Sequence, residues 1–258
     1  MLVFMILSYK QKINMKKLFV AHILLALFVN SLYAQQTVTF TTSDGVNVTA
    51  DHYVTSTQNP YLILLHQAGY SRGEYRETAP KLANLGFNCL AVDLRSGNEV
   101  NFIKNRTAQD ARDKNMGTAY LDAQADIKAA IDFVAARSNK PIILVGSSYS
   151  ASLALVEATE NFKIKAVVVF SPGEYFGENL NIKAATKQLH VPVLALSSKL
   201  EYPEMQLMLD HLKKKHLSLF RPILGEGVHG SRALWEKNPN HQEYWMALTQ
   251  FFSQLNIK

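Results

Sequence analysis

The sequence predicts one α/β domain built on a mostly parallel sheet, with an antiparallel hairpin at its start and helices on both faces. Three observations carry that expectation. Two alternating β-rich runs, 37–42 and 46–54, are separated only by Ser43-Asp44-Gly45, the spacing of an antiparallel hairpin. Downstream, short runs that are apolar along their whole length replace the alternating ones, as in strands covered on both faces. Between those runs lie segments with helical spacing, and strand alternating with helix marks a parallel sheet.

After the hairpin the apolar runs fall at 61–66, 87–94, 141–147, 165–171, 191–198 and 217–224. Helices are expected at about 76–85, 120–137, 151–159, 203–215 and 242–255. In the second of these Ala123, Ile127, Ala130, Ile131 and Val134 share one face, a stripe that belongs against the sheet. No repeat, low-complexity tract or Pro/Gly/Ser linker divides the chain, so 37–258 reads as a single domain. With 258 residues, 48% hydrophobic and 19% charged, the composition is that of an ordinary globular protein and excludes disorder and collagen. The one cysteine, Cys89, excludes a disulfide scaffold, and its apolar neighbours mark it as a small buried hydrophobe.

Residues 1–34 have the layout of a secretory signal peptide. Lys16 and Lys17 precede the apolar run 18–29, and Leu32-Tyr33-Ala34 follows Asn30 and Ser31. Met15 reads as the natural start. The run is interrupted by His22 and is short for a span of ~20 residues, so a soluble protein exported to the periplasm or the exterior is expected, with no stable membrane insertion. Lys10, Lys12, Lys16 and Lys17 also lie in this stretch, which holds no acidic residue. Taking those four from 27 basic residues leaves 23 against 21 acidic, and the net charge of +6 becomes +2. Such a balance gives no electrostatic footprint for nucleic acid.

The strongest chemical signal is Ile142-Ile143-Leu144-Val145-Gly146-Ser147-Ser148-Tyr149-Ser150, an apolar strand running through glycine into serine and then into a helix rich in small residues. A serine at a sharp strand-to-helix turn holds its oxygen above the sheet, with the helix N-terminus beneath it. This stretch resembles the nucleophile elbow, Gly-x-Ser-x-Gly, of the α/β-hydrolase fold family, with Ser150 in place of the last glycine. The nearest branch is the small exported, dienelactone-hydrolase-like one. The string gains weight from its place, after the third expected parallel strand.

What the resemblance implies covers nearly the whole chain after the signal peptide. His66-Gln67-Ala68-Gly69-Tyr70, closing the first parallel strand, is similar to the family's His-Gly-x-Gly loop. Matching positions assigns the oxyanion-binding amides to Ala68 and Tyr149, with Gln67 where glycine is usual and His66 bracing the loop. Asp93-Leu94-Arg95-Ser96-Gly97 is similar to a segment whose carboxylate holds neighbouring loops, so Asp93 and Arg95 read as scaffold. The family's order, serine, then acid, then histidine, leaves His190, His211, His216, His229 and His241 as bases, and His229 in Gly225-Glu226-Gly227-Val228-His229-Gly230 fits the glycine-rich loop after the last strand. His211 and His216, flanking a lysine run, read as solvated. The acid falls on Glu201, with Glu174 in reserve.

These readings give a serine hydrolase of small or short-acyl carboxylic esters, with catalytic Ser148, Glu201 and His229. No phosphate loop, dinucleotide fingerprint or His-x-x-x-His pair calls for a cofactor or a metal. A non-catalytic binding protein of the same fold is the alternative, motivated by Gln67, Ser150 and Glu201 standing where other residues are usual; a peptidase or amidase is the other. The short segment between Ser171 and Val191 leaves no room for a large helical lid, and Phe102, Asn105 or Arg106 of the stretch 97–117 are expected at the rim.

Overall fold

Alternation does produce the opening hairpin. In the computed structural model, which describes residues 35–255, strand β1 (Gln35–Thr41) pairs antiparallel with β2 (Asn47–Tyr53). Gly45 makes the turn with φ of 87°, a left-handed conformation that favours glycine. The expected signal peptide lies outside the described residues.

The fully apolar runs become strands buried on both faces: β3 (Tyr61–Leu65), β4 (Asn88–Val92), β7 (Ile142–Ser147), β8 (Ile164–Phe170) and β9 (Val193–Leu196), with β10 (Leu217–Phe220) at the edge. A small separate hairpin, β5 (Glu99–Val100) and β6 (Ile103–Lys104), projects after β4. The main sheet has eight strands in the order β1-β2-β4-β3-β7-β8-β9-β10. Its first two pairings, β1 with β2 and β2 with β4, are antiparallel, and every later one is parallel. Strand order turns back at β3, which lies between β4 and β7, so the crevice above the C-terminal ends of β3 and β7 is the place where such sheets bind ligands.

Each buried strand sends alternate residues to opposite faces. Ile63 and Leu65 of β3 join the core formed with α3 (Ala123–Ala135), α4 (Tyr149–Glu160) and α6 (Tyr202–Leu209). Leu62 and Leu64 join the opposite core, formed with α1 (Thr78–Asn84) and α7 (His241–Gln254). The predicted stripe Ala123, Ile127, Ala130, Ile131 and Val134 is buried against the sheet, and Cys89 is buried as well. Two helices, α2 (Arg106–Asp113) and α5 (Ile182–Ala185), are additions to the predicted set. Polar α2 buries only Thr107, Ala108 and Ala111, too few apolar positions to register as a stripe. The helix expected over 203–215 ends at Leu209, because the chain must turn back before entering β10 at Leu217.

Asp93 and Arg95 are scaffold, as read. Asp93 accepts from the Arg72 and Arg106 amides and from the Arg72 guanidinium. Arg95 bridges Asp126 on α3 and Asp44 in the β1–β2 turn. Burial pushes the Asp93 and Asp126 carboxyls up to about 6, against the pull of these arginines. Among the described residues no helix is long and apolar enough to cross a membrane.

Candidate active site

Gly146 allows the turn that presents Ser148. A Cβ at residue 146 would lie 2.4 Å from the Ala151 Cα, so strand β7 and helix α4 approach as closely as their backbones allow. Ser148 takes φ of 60° and ψ of −125°, a strained conformation for a residue with a side chain. Its N–H donates to the Phe170 carbonyl, which anchors the turn to β8. Ser150, where glycine is usual, is fully buried and useful: its hydroxyl accepts from the Ser147 N–H at 3.0 Å and donates to the Leu65 carbonyl at 2.9 Å. The elbow is thereby tied to the end of β3.

From that end runs the loop carrying Ala68. His66 is buried, its Nδ1 paired with the Gln67 carbonyl and its Nε2 accepting from the Leu94 N–H. Burial lowers the imidazole to about 4, so it is neutral at physiological pH and braces the loop, as expected. The Tyr149 N–H opens helix α4, where amides have no carbonyl one turn back. Neither this amide nor that of Ala68 has a backbone partner among the described residues.

Glu201 and His229 are brought together across 28 residues of sequence. His229 Nδ1 hydrogen-bonds to Glu201 Oε1. The other carboxylate oxygen accepts from the Ser171 hydroxyl at 2.8 Å, the Ser198 hydroxyl at 2.8 Å and the Ser198 N–H at 3.0 Å. Burial works to raise the Glu201 carboxyl, but the hydrogen bonds from His229, Ser198 and Ser171 outweigh it and hold the group at about 2. Glu174, the reserve acid, is committed elsewhere: it accepts from the Ile182 and Lys183 amides at the start of α5.

Ser148 and His229 are not hydrogen-bonded to each other; the Ser148 hydroxyl faces that of Tyr175, which donates to the Ser171 carbonyl. The loops around them are joined, since the Ser231 N–H donates to Ser147 Oγ and the Gly230 N–H to Ser171 Oγ, whose hydroxyl donates to Glu201. Asn105 is not a rim residue. It is buried, bonded to His66 Nε2 and the Leu94 and Tyr70 carbonyls, and caps α2. Arg106 lines a surface cleft with Lys104, Gln109 and Arg112, and Phe102 stands exposed on the β5–β6 hairpin tip. His211 is half-buried rather than solvated, with Thr186 and the Met208 carbonyl as partners. The ties of Glu74, Ser147, Ser171 and Ser231 to the site are not legible in the sequence, because they join residues far apart in the chain.

An eight-stranded, mostly parallel sheet with a strained serine turn after its fifth long strand defines an α/β-hydrolase fold. The dienelactone hydrolase family model matches residues 49–216, about two thirds of the chain, and the protein belongs to that family. As a member it is a carboxylic ester hydrolase acting on a small-molecule substrate. The match ends before His229. Solved structures of like fold include an esterase of Pyrococcus furiosus, 18% identical over 86% of this chain and 90% of that one, with a TM-score of 0.66. Dienelactone hydrolase from Anabaena variabilis is 16% identical over 86% and 98% of the two chains, with a TM-score of 0.65. Acylaminoacyl peptidase of Pyrococcus horikoshii is 15% identical over 90% of this chain but only 44% of its own, with a TM-score of 0.61. No curated protein matches the sequence.

The Glu201 carboxyl, held at about 2 against an ordinary 4.5, stabilises the fold fully above the ordinary value and loses that contribution as pH falls through the lower one. In chemical denaturation, the stability gap between the wild type and Glu201→Gln should narrow as pH is lowered from about 4.5 towards about 2. A gap that does not change over that window would show that the carboxylate is not held down by the fold.

Proposed function

We propose that the protein is an exported serine hydrolase that cleaves esters through an acyl-enzyme on Ser148, with His229 as base and then acid and Glu201 orienting it. The observation that carries this reading is the hydrogen bond from His229 Nδ1 to a carboxylate held ionised, at the sheet end where Ser148 is presented on its strained turn. With Nδ1 so engaged, Nε2 is the nitrogen left to take a proton. Ser148 Oγ turns from Tyr175, attacks the ester carbonyl carbon and passes its proton to Nε2. The carbonyl oxygen, now an anion, receives the Ala68 and Tyr149 amides. Collapse breaks the bond to the alcohol, which leaves with the His229 proton. Water then repeats the sequence on the acyl-serine, losing a proton to Nε2 and releasing the acid and Ser148.

Ser148→Ala should abolish labelling by a fluorophosphonate and hydrolysis of a short p-nitrophenyl ester while the far-ultraviolet spectrum stays that of the wild type. Glu201→Gln should slow hydrolysis by about 10²-fold or more, since the ring loses the partner that sets its tautomer. Labelling that persists in Ser148→Ala moves the nucleophile elsewhere. A folded wild type inert to the probe and to every ester supports a non-catalytic binding protein instead.

The segment between β8 and β9 holds only a short turn, Gly177–Asn179, and the four-residue α5, so no helical lid covers the site from that side. Short acyl chains are therefore the proposed substrates, and kcat/KM should fall from acetate and butyrate to long-chain p-nitrophenyl esters. Faster turnover of the long chains would contradict an open site.

Export rests on the positive, apolar and small-residue order of 15–34. N-terminal sequencing of the protein from its native host should find a chain beginning near Gln35; a chain that keeps Lys16 and Lys17 would refute it.

A further inference from the structure

Under the site lies a carboxylate that the mechanism does not use. Glu74, in the 3₁₀ turn Arg72–Tyr75 after the Ala68 loop, is fully buried. One of its oxygens accepts from the Ser147 hydroxyl at 2.7 Å and from the Ser231 hydroxyl at 2.6 Å. The other accepts from the Gln67 N–H at 2.7 Å. The Ser231 backbone N–H donates to Ser147 Oγ at 2.8 Å, which closes a ring of three residues. Trp235 Nε1 donates to the Glu74 carbonyl and fixes the backbone of the turn.

The partners are what give this cluster meaning. Gln67 precedes Ala68, Ser147 precedes Ser148, and Ser231 lies two residues after His229. Those three loops come from separate parts of the chain and carry, in turn, the oxyanion amide, the nucleophile and the base. We propose that Glu74 is a positioning residue of the active site: its buried carboxylate ties the three loops together and so holds the Ala68 amide, Ser148 and His229 in register. The proposal rests on the reading of Ser148 as nucleophile.

A structural need alone is a poor account of such a group. Burial raises the Glu74 carboxyl, with hydrogen bonds from Ser231, Gln67 and Ser147 opposing the rise. A buried acid costs desolvation that well-packed apolar side chains would avoid, so packing could be had more cheaply without it. Apolar packing, however, does not fix three loops at hydrogen-bond precision, and displacement of a reacting group by about 1 Å can cost about 10²-fold in rate. Gly230 shows how tightly the loops meet here. A Cβ at that position would lie 2.7 Å from Ser147 Oγ and 2.9 Å from Gln67 Oε1.

The test is steady-state hydrolysis of a p-nitrophenyl ester by the purified protein and three variants, with fluorophosphonate labelling of each. Glu74→Gln keeps an acceptor for the Gln67 N–H and turns its amide to the two serine hydroxyls, which can accept; Glu74→Leu keeps bulk and no polar atom. Glu74→Gln should retain kcat within about tenfold and Glu74→Leu lose about 10²-fold, with KM in both within about threefold of the wild type. Folded Glu74→Leu with kcat within about threefold of the wild type overturns the proposal, as does a loss carried by KM. Glu74→Gln as slow as Glu74→Leu overturns it too, by assigning the effect to the charge itself. If Glu74→Leu does not fold, Ser231→Ala decides, because it removes a single tie: a kcat loss above about threefold supports the proposal and a smaller one overturns it. An unlabelled wild type removes the underlying nucleophile reading and this proposal with it. A labelled wild type whose variants are unchanged removes this proposal alone.

Discussion

The close approach of strand β7 to helix α4 at Gly146 is the constraint on which the site depends. Because the Gly146 backbone lies against Ala151, the chain reverses within a single residue, and that residue is Ser148 in a left-handed conformation. Such strain persists only when the surroundings over-determine it. Here they do. The Ser148 amide is held by the Phe170 carbonyl of β8, the Ser147 amide by Ser150, and Ser150 in turn by the Leu65 carbonyl of β3. Helix and strand also stand in the buried core on both sides of the turn, so distortion here would be felt through close-packed side chains.

Around this turn the chain arranges buried carboxylates in two ways. Glu201 collects donors from His229, Ser171 and Ser198 and stays ionised far below its ordinary value. Asp93, Asp126 and Glu74 are more deeply buried, and desolvation outweighs their partners and raises them. The difference separates the carboxylate bonded to the His229 imidazole from those that hold loops and arginines in place. Hydroxyls make the same division of labour possible, since Ser171 donates to Glu201 while accepting from Gly230, and Ser147 donates to Glu74 while accepting from Ser231. A serine can serve as both donor and acceptor at once, which an apolar residue of similar size cannot.

Period and punctuation made the fold legible. The hairpin, the six apolar strands and the longer helices were readable because burial on one or two faces imposes a pattern on every residue of an element. Helix α2 escaped because its buried face is made of threonine and alanine, and α5 because four residues show no period. Within the candidate site, motif positions and their order picked out Ser148, Tyr149, Ala68, Glu201 and His229, of which the structure joins Glu201 and His229 by a hydrogen bond. Asn105 shows the limit of that method: its sequence neighbourhood suggested a rim, whereas its side chain turns inward to His66 and caps α2.

By itself, then, the sequence determined the strand and helix order, the turn that presents Ser148 and the short set of candidates for an acid and a base. Tertiary structure alone decided that Glu201 rather than Glu174 meets His229, that the amide-bearing loop is braced by a neutral His66, and that Glu74 lies beneath all three loops. The physical reason is the range of the interactions. Burial patterns are written locally, residue by residue, while a hydrogen bond between Ser231 and Glu74 joins positions 157 apart and exists only once the sheet has brought their loops together.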